Sequence, residues 1–364
     1  MPATDKKILY IGNYRDGTGW GNAAVSNILA MDAAGLNVVP RAITYEAQTT
    51  DYPARIKQLE AQSSEGCDIC VQHMLPHLFS YDSSYYNIGF VTTESYPVRD
   101  IGWHSHCNLM DEIWTMSFCS KGQLARSGVT KPIMVVPSSI DMSKYRDFKP
   151  TIEIKEMNGC FNFVFAGEWI ERKNAAALIK AFHLEFGPND PVNLVIKTSR
   201  TTADVVEKYC SQIKQGLKLR KDYRKEIIIC GKIQEDQYKS ILYASQCFVM
   251  PSRGESFCIP ALEAMALGVP TIYTNGTGMN DFCYGQAVES REVPCFGAVD
   301  TLPHLDTARG NWMEIDVRQL QFALRSAFMK WNTSAMEHAS KKAKDAAKEY
   351  DYAKIGQKIK EIIK

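Results

Sequence analysis

The sequence predicts a two-domain α/β protein built on parallel sheets, and three observations carry that prediction. Strand-like apolar runs alternate with amphipathic helical stretches along most of the chain. Two separate runs open as a strand, a glycine turn and a helix. At 364 residues the chain also exceeds what one hydrophobic core usually serves. Two domains of ordinary size leave room for a deep cleft between them.

The first series opens with Lys7-Ile-Leu-Tyr-Ile-Gly12, a glycine-rich turn and a helix from about Asn22 to Ala34. It continues through the apolar runs Val38 to Ile43, Ile69 to Gln72, Ile88 to Thr92, Glu112 to Met116 and Pro132 to Pro137. A second Rossmann-like opening follows at Phe161-Asn-Phe-Val-Phe-Ala-Gly167, with a helix over Ala175 to Phe186. Further strands are expected at Asn193 to Lys197, Ile227 to Cys230, Cys247 to Met250 and Pro270 to Thr274. Asp204 to Lys214 and Asp236 to Ala244 read as helices between them. The boundary falls near Asp141 to Pro150, and beyond Asp316 the pattern is helical to the end.

The bulk properties narrow the class. With 45% apolar and 23% charged residues and no run of about 18 apolar residues, the chain reads as globular without a membrane span. Its start is too short and strand-like for a signal peptide. Eleven cysteines scattered through predicted elements fit buried thiols in a reducing compartment, so a cytoplasmic protein is expected. A net charge of +1 gives no global attraction for nucleic acid or anionic lipid.

The chemistry concentrates between Gly254 and Gly268. A strand ending at Met250 enters a tight turn and then a helix bounded by Pro260 and Gly268, the residue types suited to a helix start and stop. The amides of Ser256, Phe257, Cys258 and Ile259 then lie at a helix N-terminus, where N–H groups and the helix dipole hold phosphate or sugar oxygens. Glu263, one turn inside, can reach back toward the same mouth and suits a ribose diol. Glu255, on the turn outside the helix, is placed to face a sugar and stabilise positive charge in an oxocarbenium-like transition state. Each glutamate by itself reads more readily as a solvated or capping carboxylate near a favourable dipole than as a functional group.

The run Pro251-Ser-Arg-Gly-Glu-Ser-Phe-Cys-Ile-Pro-Ala-Leu-Glu-Ala-Met-Ala-Leu-Gly-Val-Pro270 resembles the E-x7-E signature of family 4 retaining glycosyltransferases. Asp111 to Ser117, Val135 to Asp141, Phe165 to Gly167 and Trp312 to Asp316 fall in that family's usual order. The resemblance implies a GT-B fold of two Rossmann-like domains with closing C-terminal helices. Residues 1–145 would bind the acceptor and 146–340 the nucleotide-sugar donor, with 341–364 crossing back onto the first domain. It also implies retention of anomeric configuration and no metal, in keeping with the lack of any Asp-x-Asp pair in the chain. No cofactor is expected.

Gly167-Glu-Trp-Ile-Glu-Arg-Lys-Asn174 is similar to the family's Gly-Arg-x-x-x-x-Lys-Gly segment, which makes Lys173 the diphosphate partner. Glu168 stands where the family has arginine, and Arg172 is the nearest replacement cation. The turn Gly17-Thr-Gly-Trp-Gly21 matches the family's N-terminal glycine loop, so Gly19, Trp20 and Gly21 are donor contacts by this analogy; alone, they read equally as a packing turn. By the same analogy the turn Gly231-Lys-Ile233 meets the base through its backbone, and His73 and Glu94, at strand ends, are candidate sugar contacts.

Other features read as bland. Cys67-x-x-Cys70 lacks a second pair at metal-site spacing, and His104, His106 and Cys107 lack a partner. The basic run from Lys214 to Lys225 reads as a solvated helix and loop, and Tyr81, Tyr85, Tyr86 and Trp103 as core or stacking aromatics.

The expected activity is transfer of a hexose from a nucleotide-diphosphate sugar to an acceptor hydroxyl on a glycan, lipid, protein, metabolite or modified nucleic acid. A related sugar-nucleotide epimerase, a phosphorylase and a non-catalytic sugar-nucleotide binder are the alternatives on the same residues. A dinucleotide-binding protein is weakly supported, because neither glycine turn completes Gly-x-Gly-x-x-Gly with a following acidic residue.

Overall fold

The computed structural model describes residues 6–45, 51–295 and 310–363. The first half of the chain runs β1 (Lys7–Gly12), α1 (Gly19–Ala33), β2 (Asn37–Ala42), α2 (Ala54–Glu60), β3 (Ile69–His73), β4 (Tyr86–Phe90), α3 (Trp103–Cys107), β5 (Glu112–Thr115), α4 (Phe118–Arg126), β6 (Ile133–Val135) and α5 (Ser143–Arg146). The second half runs β7 (Phe161–Ala166), α6 (Ala175–Glu185), β8 (Val192–Thr198), α7 (Ala203–Leu217), β9 (Ile227–Cys230), α8 (Glu235–Tyr243), β10 (Cys247–Met250), α9 (Ile259–Ala266) and β11 (Thr271–Thr274). It closes with β12 (Gly285–Val288), β13 (Ser290–Pro294), β14 (Asn311–Ile315), α10 (Val317–Met329), α11 (Ser334–Ala347) and α12 (Tyr352–Ile362).

The chain divides into two compact units. One runs to Met142 and takes in the chain from Glu349 onward; the other is Ser143–Lys348. Each is built on a six-stranded parallel sheet, in the order β2-β1-β3-β4-β5-β6 in the first and β12-β11-β10-β7-β8-β9 in the second. The expected α/β architecture of two Rossmann-like domains is the one observed. Strands inside such sheets are covered on both faces, which is why β7 reads Phe-Asn-Phe-Val-Phe-Ala and is buried at every position.

In both sheets the strand order reverses once, and the reversal places the turns that matter. In the first unit β1 lies between β2 and β3, and Gly12 is opposite His73 where both strands end. In the second unit β7 lies between β10 and β8, so the turns after Ala166 and after Met250 leave the sheet side by side. A crevice outside the carboxyl ends of strands at such a reversal is where open α/β sheets bind ligands.

Local chemistry sets several boundaries. α1 begins at Gly19, three residues ahead of the sequence reading, because the Thr18 hydroxyl caps it by accepting the Gly21 N–H at 3.1 Å. Strands β12 and β13 were absent from the sequence reading: both are short and largely exposed, so they carry little apolar patterning. The antiparallel ribbon of β13 with β14 joins residues 290–294 to 311–315 across a long connection rather than a tight turn. None of the helices among the described residues is long and apolar enough to cross a membrane.

In the first unit α12 packs on α1 with almost no separation at Gly356. A Cβ there would lie 2.0 Å from the Ala30 carbonyl oxygen and 2.8 Å from Ala34 Cβ. Alanine at an ordinary helix position gains about 1 kcal/mol over glycine. Here the contact is with rigid backbone, and overpacking of this kind costs about 1–3 kcal/mol. The Gly356→Ala variant is therefore expected to unfold at a lower urea concentration than wild type; an equal or higher midpoint would show that the two helices do not pack this closely.

Candidate functional site

The site in the second unit is assembled from the two turns at the strand-order reversal. After β7 the chain turns at Gly167 and runs through a 3₁₀ turn, Glu171–Lys173, before α6. After β10 it passes Pro251 to Cys258 and enters α9. Glu255, 7% exposed, sits on this second turn and receives two cations from the first. Lys173 Nζ donates to Glu255 Oε1 at 2.5 Å, and the Arg172 guanidinium lies 3.5 Å from the same oxygen. Burial pushes the carboxyl up, but the charges of Lys173 and Arg172 and the hydrogen bond from Lys173 outweigh it and hold it below the usual carboxylate range.

The two cations are not equivalent. Arg172 is 5% exposed and its guanidinium donates to the Gly254 carbonyl at 2.5 Å, while its own carbonyl accepts the Arg253 N–H at 2.8 Å. It is committed to holding the two turns together. Lys173 carries its ammonium on a more exposed side chain, and its stem passes Gly167, where a Cβ would meet Lys173 Cδ at 3.7 Å. Glu168 is paired with Arg200 at 3.1 Å.

The mouth of α9 is strained and pinned. Cys258, the residue before the helix, has φ 104° and ψ 76°, a left-handed conformation that a side chain disfavours and that clusters at functional sites. Behind it, the Gly278 N–H donates to the Glu255 carbonyl at 2.8 Å, and a Cβ at Gly278 would lie 2.1 Å from the Ser256 carbonyl oxygen. Phe257 stacks on Phe282 with ring centroids 4.2 Å apart. The amides of Cys258 and Ile259 have no acceptor among the described residues. They lie where the helix dipole is positive.

Glu263 lies one turn into α9 and accepts the Tyr145 hydroxyl at 3.0 Å. Burial pushes its carboxyl up to about 7, against the pull of the Tyr145 hydrogen bond and with a further push from Glu235. Tyr145 was missed from sequence; it is a lone tyrosine on the four-residue α5, with no pattern to mark it. Ile233, in the loop after β9, lines a largely apolar groove of about 810 Å³ together with Ile152, Ile154 and Ile227.

The remaining candidates lie in the first unit. Gly19 is exposed, and a Cβ there would meet nothing within 4 Å. Gly21 is required by packing, since its Cβ would fall 2.3 Å from Asp16 Oδ1. Trp20 packs edge-on to Tyr45. His73 is a buried imidazole stacked on Phe90 at 4.2 Å and joined to the Tyr10 hydroxyl through Nδ1 at 2.6 Å. Burial pushes it down to about 3, so it is neutral at physiological pH. Glu94 is half-buried in the loop after β4.

Several of the features read as bland are packed into the fold, whereas Tyr81 and Tyr86 are exposed. Cys67 and Cys70 join Leu9 in a small core cluster, and Trp103 is buried. In the basic run, Lys214 pairs with the buried Glu226 at 2.8 Å, Arg220 donates to the Phe186 carbonyl and Arg224 to Asn193. These three cations tie α7 and its loop to the body of the unit, while Lys218, Lys221 and Lys225 are exposed, as expected of a solvated face. Among the described residues no group of three His, Cys, Asp or Glu is placed to hold a metal.

Comparison with known proteins bears on the same region. Residues 153–283 match the family described as glycosyl transferases group 1. A curated relative named "Putative glycosyltransferase 48", from Sulfolobus islandicus filamentous virus, is 26% identical over 130 residues, 35% of this chain and 38% of the relative. Anabaena HepE, solved in complex with UDP, superposes with a TM-score of 0.67 at 13% identity, covering 98% of this chain and 99% of that one. Sucrose-phosphate synthase from Thermosynechococcus elongatus gives 0.63 at 14% identity, covering 98% of each chain.

Glu263 generates a stability test. Its folded pKa lies above the ordinary 4.5, so the folded state holds the proton more tightly than the unfolded one. Its contribution is complete below about pH 4.5 and is lost as pH rises toward 7, a change on the order of 3 kcal/mol. Glu263→Gln removes this dependence. In urea unfolding its stability relative to wild type should rise from pH 4.5 to 8; a constant difference would contradict the assignment. On fold and matched residues together, the chain has the two-domain Rossmann-like fold of the GT-B kind, and its residues 153–283 are similar to the glycosyl transferases group 1 family.

Proposed function

We propose that this protein is a retaining, metal-independent glycosyltransferase that moves a hexose from a nucleotide-diphosphate sugar to an acceptor hydroxyl. The observation that carries the reading is the buried Glu255 with its cations Lys173 and Arg172, beside the amides of Cys258 and Ile259, which have no acceptor among the described residues. Buried ion clusters seldom stabilise a fold more than apolar packing of the same volume would. Charges kept at such a position are better accounted for by a ligand.

Each group has a separable role. The amides of Cys258 and Ile259, with the dipole of α9, take the diphosphate oxygens. Lys173 has one of its N–H groups on Glu255 and two left to neutralise charge building on the leaving diphosphate. Glu255, held ionised, stabilises the oxocarbenium-like sugar, and Glu263 accepts the ribose hydroxyls. The fold shared with UDP-bound Anabaena HepE supports a nucleoside diphosphate as the leaving group. Gly19, Trp20, His73 and Glu94 are assigned to the donor and its sugar, and the backbone at Ile233 to the base. In the first unit a cavity of about 520 Å³ lined by Ile11, Tyr45, Cys70 and Tyr85 gives an acceptor apolar surface. Eleven cysteines with no disulfide among the described residues suit a reducing compartment such as the cytoplasm.

A donor-hydrolysis screen across UDP-, GDP- and ADP-sugars tests this. Wild type should turn over at least one of them. Glu255→Gln should lower turnover by about 10²-fold or more while nucleotide affinity stays within a few-fold, since electrostatic stabilisation of this kind is worth that much. Lys173→Ala should weaken nucleotide binding first. No hydrolysis or binding of any donor by wild type would sink the proposal; binding without turnover would favour a sugar-nucleotide binder.

A further inference from the structure

Glu168 stands where an arginine would face the diphosphate, and Arg172 is buried beneath the Glu255 turn. That leaves Lys173 as the one assigned cation. The neighbouring strand carries another. Lys197, the penultimate residue of β8, pairs in register with Ala166 at the end of β7, and its carbonyl accepts the Gly167 N–H at 3.1 Å. Gly167 therefore has the backbone of Lys197 on one side and the stem of Lys173 on another.

The Lys197 ammonium is half-buried and donates to two backbone carbonyls, Gly231 at 2.8 Å and Thr198 at 3.2 Å. An ammonium has three N–H donors, so one remains. Among the described residues no carboxylate lies within ion-pair distance of it. Burial pulls its pKa down, as expected of a cation taken from water without a counter-charge. Nearby, Arg200 cancels the charge of Glu168 through an exposed pair at 3.1 Å. At the ends of β7 and β8 and in the turns that follow, Lys173 and Arg172 are paired with Glu255 and Arg200 with Glu168, which leaves Lys197 as a half-buried cation with no carboxylate partner among the described residues.

We infer that Lys197 is a second phosphate-binding cation for the nucleoside diphosphate, taking from β8 the role that Glu168 cannot fill after β7. Held by the Gly231 carbonyl, it also ties the phosphate mouth to the turn assigned to the base. The inference rests on the proposed nucleotide-sugar reading, and the test separates the two.

Calorimetric titrations of the full chain with UDP, GDP and ADP, with the matching nucleosides and with inorganic pyrophosphate compare wild type with Lys197→Met and Lys197→Arg. Methionine keeps the apolar stem and removes the charge. Loss of one charged hydrogen bond should weaken diphosphate and pyrophosphate binding by roughly tenfold to a hundredfold while leaving nucleoside binding unchanged. Arginine should restore most of the affinity. Equal diphosphate affinity in wild type and Lys197→Met overturns the inference, as does equal loss of nucleoside and diphosphate binding, which marks a structural role. Wild type that binds pyrophosphate through Lys197 but no nucleotide keeps the anion site and overturns the nucleotide reading. Wild type that binds none of these ligands overturns both.

Discussion

The second unit is organised around one buried carboxylate. Glu255 lies between Lys173 and Arg172, and through Arg172 it fixes the separation of the turns that follow β7 and β10. Remove the carboxylate and two cations are left in a partly dry pocket; remove the cations and a buried anion remains. Either change is expected to be far more damaging than loss of a surface pair, because a lone buried charge keeps its full desolvation cost. The strained Cys258 and the close approach of Gly278 to Ser256 depend on that turn staying in place. They fix the backbone at the start of α9, where the Cys258 and Ile259 amides have no acceptor among the described residues.

The sheet supplies the setting. β7 and β10 are adjacent because the strand order reverses between them, so two loops far apart in the chain leave the sheet at one point. The glycine after β7 lets the Lys173 stem cross close to the backbone, and Met250 closes the other side. The same reversal in the first unit brings the turn after Gly12 next to His73. There the imidazole is neutral, stacked on Phe90 and bonded to Tyr10.

Much of the fold was legible in the sequence, because parallel strands buried on both faces read as unbroken apolar runs and the glycines after β1 and β7 mark where they stop. The ribbon of β13 and β14 was not, since exposed antiparallel strands separated by a long connection carry neither an apolar run nor a turn signal. Within the site, residue types and spacing pointed to Glu255 and Glu263, and the family resemblance to Lys173. What spacing could not convey is pairing across the sheet. Arg172 and Lys173 are adjacent in sequence and look interchangeable, yet one is a buried tie and the other carries the more accessible charge. Tyr145 and Lys197 escaped notice for the same reason: each matters through a partner that only the fold brings near, Glu263 for one and the Gly231 carbonyl for the other.

The assignment of the anion mouth can be read directly from a crystal structure grown with a nucleoside diphosphate. The account predicts diphosphate oxygens within hydrogen-bond distance of the Cys258 and Ile259 amides and of Lys173 Nζ, with the ribose hydroxyls on Glu263. A nucleotide bound elsewhere, with Lys173 still on Glu255 and the two amides facing solvent, would contradict it.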